Sequence, residues 1–324
     1  MTVLEDIRNT ELSRLDRVRT LIAETLRSSN PLMDNIIKGY LSHRGKELRP
    51  LMAILTARIL GGDSRFDITY PAAAIEILHN ASLIHDDVVD NSPTRHGAPT
   101  INALWDNHIA VLVGDFFVSR SLRLAMRSRD FRVIDSLSGL GATLSEGEMD
   151  QLDNAREHTI DERAYFEIIT HKTSSLFKAC VEVGAYSAGA SDRTVDALRR
   201  YAVIFGQCFQ ITDDIFDYFP SEKLGKPTGN DLREGKVTLP LIAALRSGHP
   251  RAAEMQAILE REDLTDANIA ALIDFAVANG GIEYARDTLR RLSREGSEIV
   301  REIAPDISPN PLAALLDFVV SRSY

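Results

Sequence analysis

The chain of 324 residues has few cysteines and no long apolar run. Its two cysteines, Cys180 and Cys208, exclude a disulfide framework and a Cys-x-x-Cys metal pair. Both lie in apolar stretches, which is typical of buried, reduced thiols in a cytoplasmic protein. No apolar run reaches about 18 residues, so we expect no transmembrane helix. The charged N-terminus lacks the apolar core of a signal peptide.

An excess of basic residues is also absent. Lysine and arginine number 37 against 47 aspartates and glutamates, a net charge of −10. A nucleic-acid partner would require a positive face, so this balance argues against one. It leaves room for an anionic substrate, because bound metal ions can supply positive charge locally.

Alternation typical of strands is lacking, and helical periodicity dominates. The first apolar stripe consists of Val3, Ile7, Leu15, Val18, Ile22 and Leu26. Loops are expected at 61–63, 91–99 and 221–231. We predict one all-α domain over 1–324, an antiparallel helix assembly around a central cavity. The predicted helices lie at 3–27, 48–60, 70–90, 101–128, 132–155, 161–189 and 193–219, with shorter helices between 238 and 322.

Two acidic motifs of the form DDxxD each end an apolar helical stretch. The first holds Asp86, Asp87 and Asp90, and the second holds Asp213, Asp214 and Asp217. Like charges four residues apart share a helix face and repel, and the helix dipole disfavours them there. Mg²⁺ prefers carboxylate oxygens together with phosphate oxygens, so we expect metal ions to compensate this charge. A single such motif could instead be a solvated helix end; two in matching surroundings favour metal binding.

Cationic and polar residues accompany these motifs. Arginine and lysine bind phosphate by fork-shaped contacts and point charge respectively, so the set suits a site for two diphosphates. Each member has a simpler alternative: Lys46 and Arg49 could be a solvated helix start, and His79 a hydrogen-bonded core histidine. The candidates are Lys46, Arg49, His79, Arg95, His96, Lys172, Thr173, Gln210, Lys226 and Lys236.

The motifs resemble those of the trans-isoprenyl diphosphate synthase family. The resemblance runs from about Gly45 to Leu241 and rests on GKELRP, HNASLIHDDVVD, Gly114-Asp115, HKT, FQITDDIFDY and GKPTGNDLREGKVTLP. It implies the isoprenoid synthase-type helical fold, about three Mg²⁺ ions per site, a homodimer, and transient membrane contact for product release. Segment 101–152 is apolar on more than one face and contains small residues, which also favours a dimer; these are Gly139, Gly141, Ala142 and Gly147.

By this resemblance the site residues divide into two groups. Lys46, Arg49, His79 and His96 would bind isopentenyl diphosphate. The allylic diphosphate and its metals would be held by Arg95, Lys172, Thr173, Gln210, Lys226 and Lys236, and the residues closest to the chemistry would be Asp86, Asp90, Lys172 and Asp213. One departure is His96 where the family usually has a second arginine, so its charge there depends on pH.

The resemblance also predicts a long product. In short-chain members an aromatic residue four or five positions before the first aspartate closes the product channel, whereas this chain has Ser82 and Ala81 there. Ile77 and Leu78 would be met next, and a floor could lie at Leu137, Leu140 or Leu144. We expect about seven to ten isoprene units (C35–C50), for quinone side chains.

Three alternatives remain open at the level of sequence. A short-chain farnesyl or geranylgeranyl diphosphate synthase would require Ile77 or Leu78 to close the channel early. A class I terpene cyclase shares the fold but normally pairs one DDxxD with an Asn/Asp-Ser-Glu motif. A non-catalytic partner subunit should have lost its acidic motifs, and both are intact here.

Overall fold

The computed structural model describes residues 3–42, 45, 47–95, 97–157, 160–220, 228–261 and 264–322. The described residues are overwhelmingly helical, which confirms the all-α class. A 3₁₀ turn (Met126–Ser128) and a π-helical turn (Thr170–Ser174) occur among the helices. The helices are α1 (Val3–Thr10), α2 (Leu12–Thr25), α3 (Pro31–Leu41), α4 (Leu48–Ile59), α5 (Thr69–Val89), α6 (Ile101–Leu104), α7 (Asn107–Ala125), α8 (Phe131–Glu157), α9 (Glu162–Ile169), α10 (Ser175–Ala188), α11 (Asp192–Asp217), α12 (Asn230–Arg233), α13 (Leu239–Leu245), α14 (Ala252–Leu259), α15 (Asp266–Ala278), α16 (Gly281–Ile303) and α17 (Pro311–Ser321).

Side-chain caps explain several helix starts. The Asn30 amide oxygen accepts a hydrogen bond from the Met33 N–H at 3.1 Å, and Pro31 follows at the first helical position of α3. Asp106 accepts from the Ile109 N–H at 2.8 Å, and Asp161 accepts from the Ala164 N–H at 2.9 Å. Such caps satisfy backbone donors that a helix leaves without an internal partner.

The structure corrects the predicted elements in several places. The helix predicted over 101–128 is broken at Trp105 and Asp106 into α6 and α7, and it ends in the 3₁₀ turn. The helix predicted over 3–27 is two helices with a break at Glu11, and Val3 at its start is 54% exposed rather than part of the core. Helix α3 was not among the predicted helices. The loop predicted at 91–99 contains a small antiparallel hairpin, in which β1 (Thr94–Arg95) pairs with β2 (Ala98–Pro99).

The chain forms two compact units, each assembled from three stretches. Unit 1 comprises Met1–Ala142, Leu176–Ala202 and Ile299–Leu315, and unit 2 comprises Thr143–Ser175, Val203–Glu298 and Leu316–Tyr324. The single domain stays a prediction.

In unit 1 helix α5 packs against α2, α4 and α7. The Ser121 hydroxyl of α7 donates to the Ala74 carbonyl of α5 at 2.7 Å. Gly114 lets α7 approach closely, since a Cβ there would lie 2.1 Å from the His85 ring. The Gly-Asp pair noted in the sequence therefore has a packing role: a larger residue at 114 would displace the histidine beside the first acidic motif.

The sequence analysis made predictions about the two cysteines and about membrane-spanning helices. Cys180 and Cys208 are buried free thiols, and burial raises the pKa of both. Among the described helices, none is both long and apolar enough to cross a membrane. The cytoplasmic location stays a prediction.

Candidate active site

Helix α11 ends at the second acidic motif and is held close to the π-helical turn. The approach depends on Gly206, where a Cβ would lie 2.4 Å from the Cα of Ser174. The Gln207 amide reinforces the contact by donating to the Thr170 hydroxyl at 3.1 Å. A π-helical turn is rare and often marks a functional site. Here it carries Lys172 and Thr173, two of the predicted site residues.

A chain of hydrogen bonds runs from this turn into the acidic motif. The Thr173 hydroxyl donates to the Gln210 side-chain carbonyl at 2.9 Å, and the Gln210 amide donates to Asp214 at 2.8 Å. The second oxygen of Asp214 accepts from the Tyr165 hydroxyl at 2.5 Å. The structure thus brings Thr173, Gln210 and Asp214 together, as the site prediction requires, with Gln210 oriented by a partner at each end.

Lys172 is fixed by the second half of α8. Its ammonium group lies 2.6 Å from a Glu148 carboxylate oxygen and donates to the Gln151 carbonyl at 3.0 Å. Gly147 permits this approach, because a Cβ there would lie 2.8 Å from the His171 Cβ. The lysine is therefore held as a charged, oriented group rather than a mobile surface side chain.

A cavity of about 170 Å³ opens beside the turn, entirely within unit 2. Lys172 and Lys236 supply positive charge, while Asp214 and Asp231 supply carboxylates. Burial raises the pKa of Asp214 to about 7, against hydrogen bonds from Tyr165 and Gln210 that lower it. Burial also raises the pKa of Asp231 well above its ordinary value. Apolar lining comes from Ile168, Ile169 and Val237.

The other two aspartates of the second motif have distinct partners. Asp213 lies 2.5 Å from the Arg322 guanidinium, which also stacks over the Phe209 ring at 4.5 Å. Asp217 accepts from the backbone N–H groups of Asn230 and Asp231 at 3.1 and 3.0 Å. Asp217 therefore fastens the segment that carries Asp231 to the end of α11.

The first acidic motif lies at the end of α5 in unit 1. Asp87 is buried and pairs with Arg95 of β1 at 2.7 Å. Asp86 is half-buried and Asp90 is exposed. Arg95 is thus placed beside the motif, as predicted, with one guanidinium nitrogen already bound to a carboxylate.

Arg49 and His79, two of the residues predicted to bind isopentenyl diphosphate, also lie in unit 1. Arg49 lies in the first turn of α4, with its guanidinium carbon 5.4 Å from the Phe177 ring centroid. His79 is half-buried on α5. Lys46, His96 and Lys226 lie outside the described residues.

The predicted channel residues differ in exposure. Ala81 and Ile77 are completely buried, Leu78 nearly so, and the Ser82 hydroxyl donates to the His79 carbonyl at 2.9 Å. Helix α7 packs extensively against α5. The channel floor predicted on the 132–155 helix stays a prediction. Leu137 and Leu140 of that helix are buried.

The carboxylates of the two acidic motifs are chemically suited to binding a hard divalent ion. Carboxylates are the ligands that Mg²⁺ prefers, and Asp86 and Asp90 share one face of α5. Within the described ranges no three or more Asp, Glu, His or Cys side chains already converge on a point that could hold a metal. Asp213 has a cationic partner in the Arg322 guanidinium.

Sequence reasoning missed several residues of this site. Tyr165 orients Asp214, Glu148 and Gln151 orient Lys172, and Asp231 lines the cavity. Arg322, close to the end of the described chain, pairs with Asp213. Asp231 stands within the GKPTGNDLREGKVTLP run, so the motif could have pointed to it; the others carry no local signal.

The chain is similar to several known proteins over nearly its whole length. The Polyprenyl synthetase family model matches residues 30–276. The nonaprenyl diphosphate synthase of Mycobacterium tuberculosis is 33% identical over 308 residues, covering 94% of this chain and 91% of that protein. A polyprenyl synthase from Caulobacter crescentus, crystallised with calcium and isoprenyl diphosphate, superimposes with a TM-score of 0.89 at 33% identity, covering 99% of this chain and 98% of that one. A geranylgeranyl pyrophosphate synthase structure from Bacteroides thetaiotaomicron gives 0.84 at 34% identity, covering 99% and 100%. The chain therefore belongs to the polyprenyl synthetase family, as a prenyltransferase of the polyprenyl diphosphate synthase type.

Proposed function

We propose that this prenyltransferase condenses an allylic diphosphate with successive isopentenyl diphosphate units to give a long trans-polyprenyl diphosphate. The observation that carries the proposal is the cavity at the π-helical turn. There Lys172 and Lys236 offer positive charge to an anion, next to the ordered Thr173–Gln210–Asp214 chain. An arrangement of fixed charges and dipoles suits chemistry that depends on positioning rather than on a nucleophilic side chain.

Each side chain then has a role in the condensation. Lys172 and Lys236, with Arg95 and Lys226, bind the allylic diphosphate by charge. The oxygens of Thr173 and Gln210 present their dipoles to the allylic cation formed when the diphosphate leaves. Apolar lining keeps water from that cation. Asp86, Asp90 and Asp213 would hold Mg²⁺, which would stabilise the charge that develops on the departing diphosphate.

Isopentenyl diphosphate is the second substrate. Arg49 and His79, with Lys46 and His96, bind its diphosphate and place its double bond against the allylic cation. A new carbon–carbon bond forms from that double bond, and the proton lost from the adduct passes to the released diphosphate. Repetition of this step lengthens the chain by one isoprene unit each time.

The length of the product is the finer part of the proposal. The similar proteins include both long-chain and geranylgeranyl diphosphate synthases, so sequence similarity alone does not decide the product length. Ala81 and Ser82 favour the long product, because neither side chain is large enough to obstruct a path along α5. We propose about seven to ten isoprene units, in keeping with a quinone side chain.

A single incubation tests the reaction against its alternatives. The purified protein is supplied with an allylic diphosphate, labelled isopentenyl diphosphate and Mg²⁺, and the products are separated by chromatography. Labelled linear polyprenyl diphosphate supports the proposal. A cyclic hydrocarbon would indicate a terpene cyclase, and activity only after addition of another protein would indicate a partner subunit.

A further inference from the structure

The residue before α4 has an unusual backbone conformation. Glu47 adopts φ +54° and ψ +34°, the left-handed region that normally favours glycine or asparagine. Its carbonyl accepts the first hydrogen bond of α4, from the Leu51 N–H at 3.2 Å. The conformation of Glu47 therefore determines how the first turn of α4, which contains Arg49, leaves the preceding loop. A non-glycine residue stays in this region only where its surroundings hold it.

Two arginines of the N-terminal helices hold the Glu47 side chain. Arg19 of α2 grips both carboxylate oxygens, with Nε 2.7 Å from Oε1 and Nη2 2.6 Å from Oε2. Arg8 of α1 adds a third contact, Nη2 to Oε2 at 2.8 Å. A fork-shaped pair of this kind fixes direction as well as position. Asp16 in turn binds the remaining nitrogen of Arg19 at 2.5 Å.

The three side chains are well shielded from solvent. Glu47 is 14% exposed, Arg19 24% and Arg8 28%, so water competes little for these contacts. Elsewhere on α2, Arg17 pairs with Asp67 at 2.9 Å, and its side chain is 52% exposed. The described contacts of Arg17 do not include Glu47. The α2 helix thus offers one half-buried pair at the α4 start and one more exposed pair of similar length.

The negative charge of Glu47 affects the pKa of a buried carboxyl group in unit 1. Burial raises the pKa of Glu76 on α5; the positive charge of Arg49 opposes this rise and the negative charge of Glu47 adds to it. Glu47 and Arg49 therefore act on the same buried carboxyl group. A Glu47 carboxylate left without its arginines would oppose the binding of an anion near Arg49.

We propose that Arg8, Arg19 and Glu47 form an arginine clamp that holds the first turn of α4 so that Arg49 meets the diphosphate of isopentenyl diphosphate. This inference rests on the proposed function, in which Arg49 binds that substrate. The clamp residues are positioning residues: they act through the α4 start and touch no reacting atom. Loss of the clamp should weaken isopentenyl diphosphate binding and leave the allylic site unchanged.

The test compares Glu47→Ala and Arg19→Ala with the matched control Arg17→Ala. For each purified variant, kcat and both Michaelis constants are measured, together with calorimetric binding of isopentenyl diphosphate and the melting temperature. We expect the Michaelis and dissociation constants for isopentenyl diphosphate to rise at least about tenfold in both clamp variants. The allylic Michaelis constant and kcat should stay within about twofold of wild type, and Arg17→Ala should match wild type throughout.

Two further variants sharpen the result. The double variant Glu47→Ala/Arg19→Ala should be no worse than the poorer single variant, because Glu47→Ala by itself already removes the Arg19–Glu47 contacts. Arg19→Lys keeps the charge without the fork and should restore only part of the affinity.

Three outcomes would overturn the clamp. One is an unchanged isopentenyl diphosphate constant in folded Glu47→Ala; the second is a parallel loss of all kinetic constants together with the melting temperature. The third is a wild-type protein that neither binds isopentenyl diphosphate nor elongates a primer, which refutes the proposed function as well. Normal elongation by wild type with unaffected variants refutes the clamp alone.

Discussion

At the scale of single residues, the six aspartates of the two motifs have different surroundings. Asp214 and Asp87 are buried, and Asp217 binds two backbone N–H groups. These three are occupied by protein partners, which suits them to shaping the site. Asp90 is exposed, Asp86 and Asp213 are half-buried, and Asp213 pairs with the Arg322 guanidinium.

We expect Asp86→Ala and Asp213→Ala each to lower turnover at saturating Mg²⁺ by at least about a thousandfold. Each change removes a proposed metal ligand from the point where charge develops on the leaving diphosphate. Calorimetric Mg²⁺ titration in the presence of a diphosphate should show weaker binding in both variants. The control is Asp196→Ala, an exposed carboxylate on α11 paired with Arg199. Near-normal turnover in either motif variant would contradict the metal assignment.

The raised pKa of Asp214 predicts that metal-free protein loses stability as pH rises. Its ordinary value is 3.8, and burial raises it to about 7. Between these values the folded state keeps a proton that the unfolded state has released, so the free energy of unfolding falls as pH increases. Asp231 and Glu76, whose pKa values burial also raises, act in the same direction.

Thermal unfolding of metal-free wild type and Asp214→Asn at pH 5 and pH 8 measures this effect. The wild type should melt at a lower temperature at pH 8, and the variant should lose part of that difference because its amide does not titrate. Asp196→Asn serves as the exposed control on the same helix. An identical pH difference in wild type and Asp214→Asn would refute the prediction.

At the scale of elements, close helix approach at particular glycines organises the site. A Cβ at Gly206 would lie 2.4 Å from the Cα of Ser174, whereas Gly139 on α8 has open space around its Cβ position. Gly206→Ala should therefore destabilise the protein by about 1–3 kcal/mol through overpacking. Gly139→Ala should stabilise it by about 0.5–1 kcal/mol, because alanine is the better helix former.

Chemical denaturation of both glycine variants provides the measurement, with turnover followed in parallel. Gly206→Ala should also reduce turnover, since displacement of Ser174 moves the turn that holds Lys172 and Thr173. Equal effects of the two substitutions on unfolding would show that α11 does not depend on this approach.

Helix α5 governs the predicted product length. The series Ala81→Leu, Ala81→Phe and Ala81→Tyr should shorten the product progressively, because larger side chains obstruct the path of the growing tail earlier. The first condensation should remain. Product sizes are read by chromatography, and the melting temperature identifies variants that are merely overpacked. Wild-type product no longer than geranylgeranyl diphosphate would refute the channel prediction.

At the scale of the whole molecule, the predicted homodimer has support in exposed apolar side chains of unit 1. Leu104 is 63% exposed, Leu112 60% and Phe131 90%, and all lie within 101–152. An interface between two copies of the chain would cover such apolar side chains. The small residues give a mixed result: Gly139 and Gly141 face open space, but Gly147 is used against His171.

Leu112→Glu should convert the dimer to a monomer in sedimentation at micromolar concentration, because a charge would be buried in the interface. Val277→Glu, at a 39% exposed position on α15, should leave the assembly intact. A wild-type protein that sediments as a fully active monomer would refute the dimer.

The sequence alone was sufficient for the helical class, and its motifs were the basis for predicting the main site residues. Apolar periodicity extends over whole helices such as α4 and α5, so their bounds were predicted to within a residue or two. The acidic motifs and the HKT segment are contiguous, and contiguous patterns are visible in one dimension. The hairpin was harder, because β1 and β2 have two residues each and no period can develop over that length. Helix α3 was missed although it is nearly as long as α4.

Tertiary structure decided which partners each motif residue has. Asp214 was distinguished from Asp213 by a hydroxyl 49 positions away and an arginine 109 positions away. The grip of Arg8 and Arg19 on Glu47 likewise spans 39 and 28 positions. Periodicity reports which face of a helix is apolar, but hydrogen bonds and ion pairs form between side chains that only the packed chain brings within 3 Å of each other. The chemistry of the site could therefore be predicted from sequence, while its geometry depended on packing.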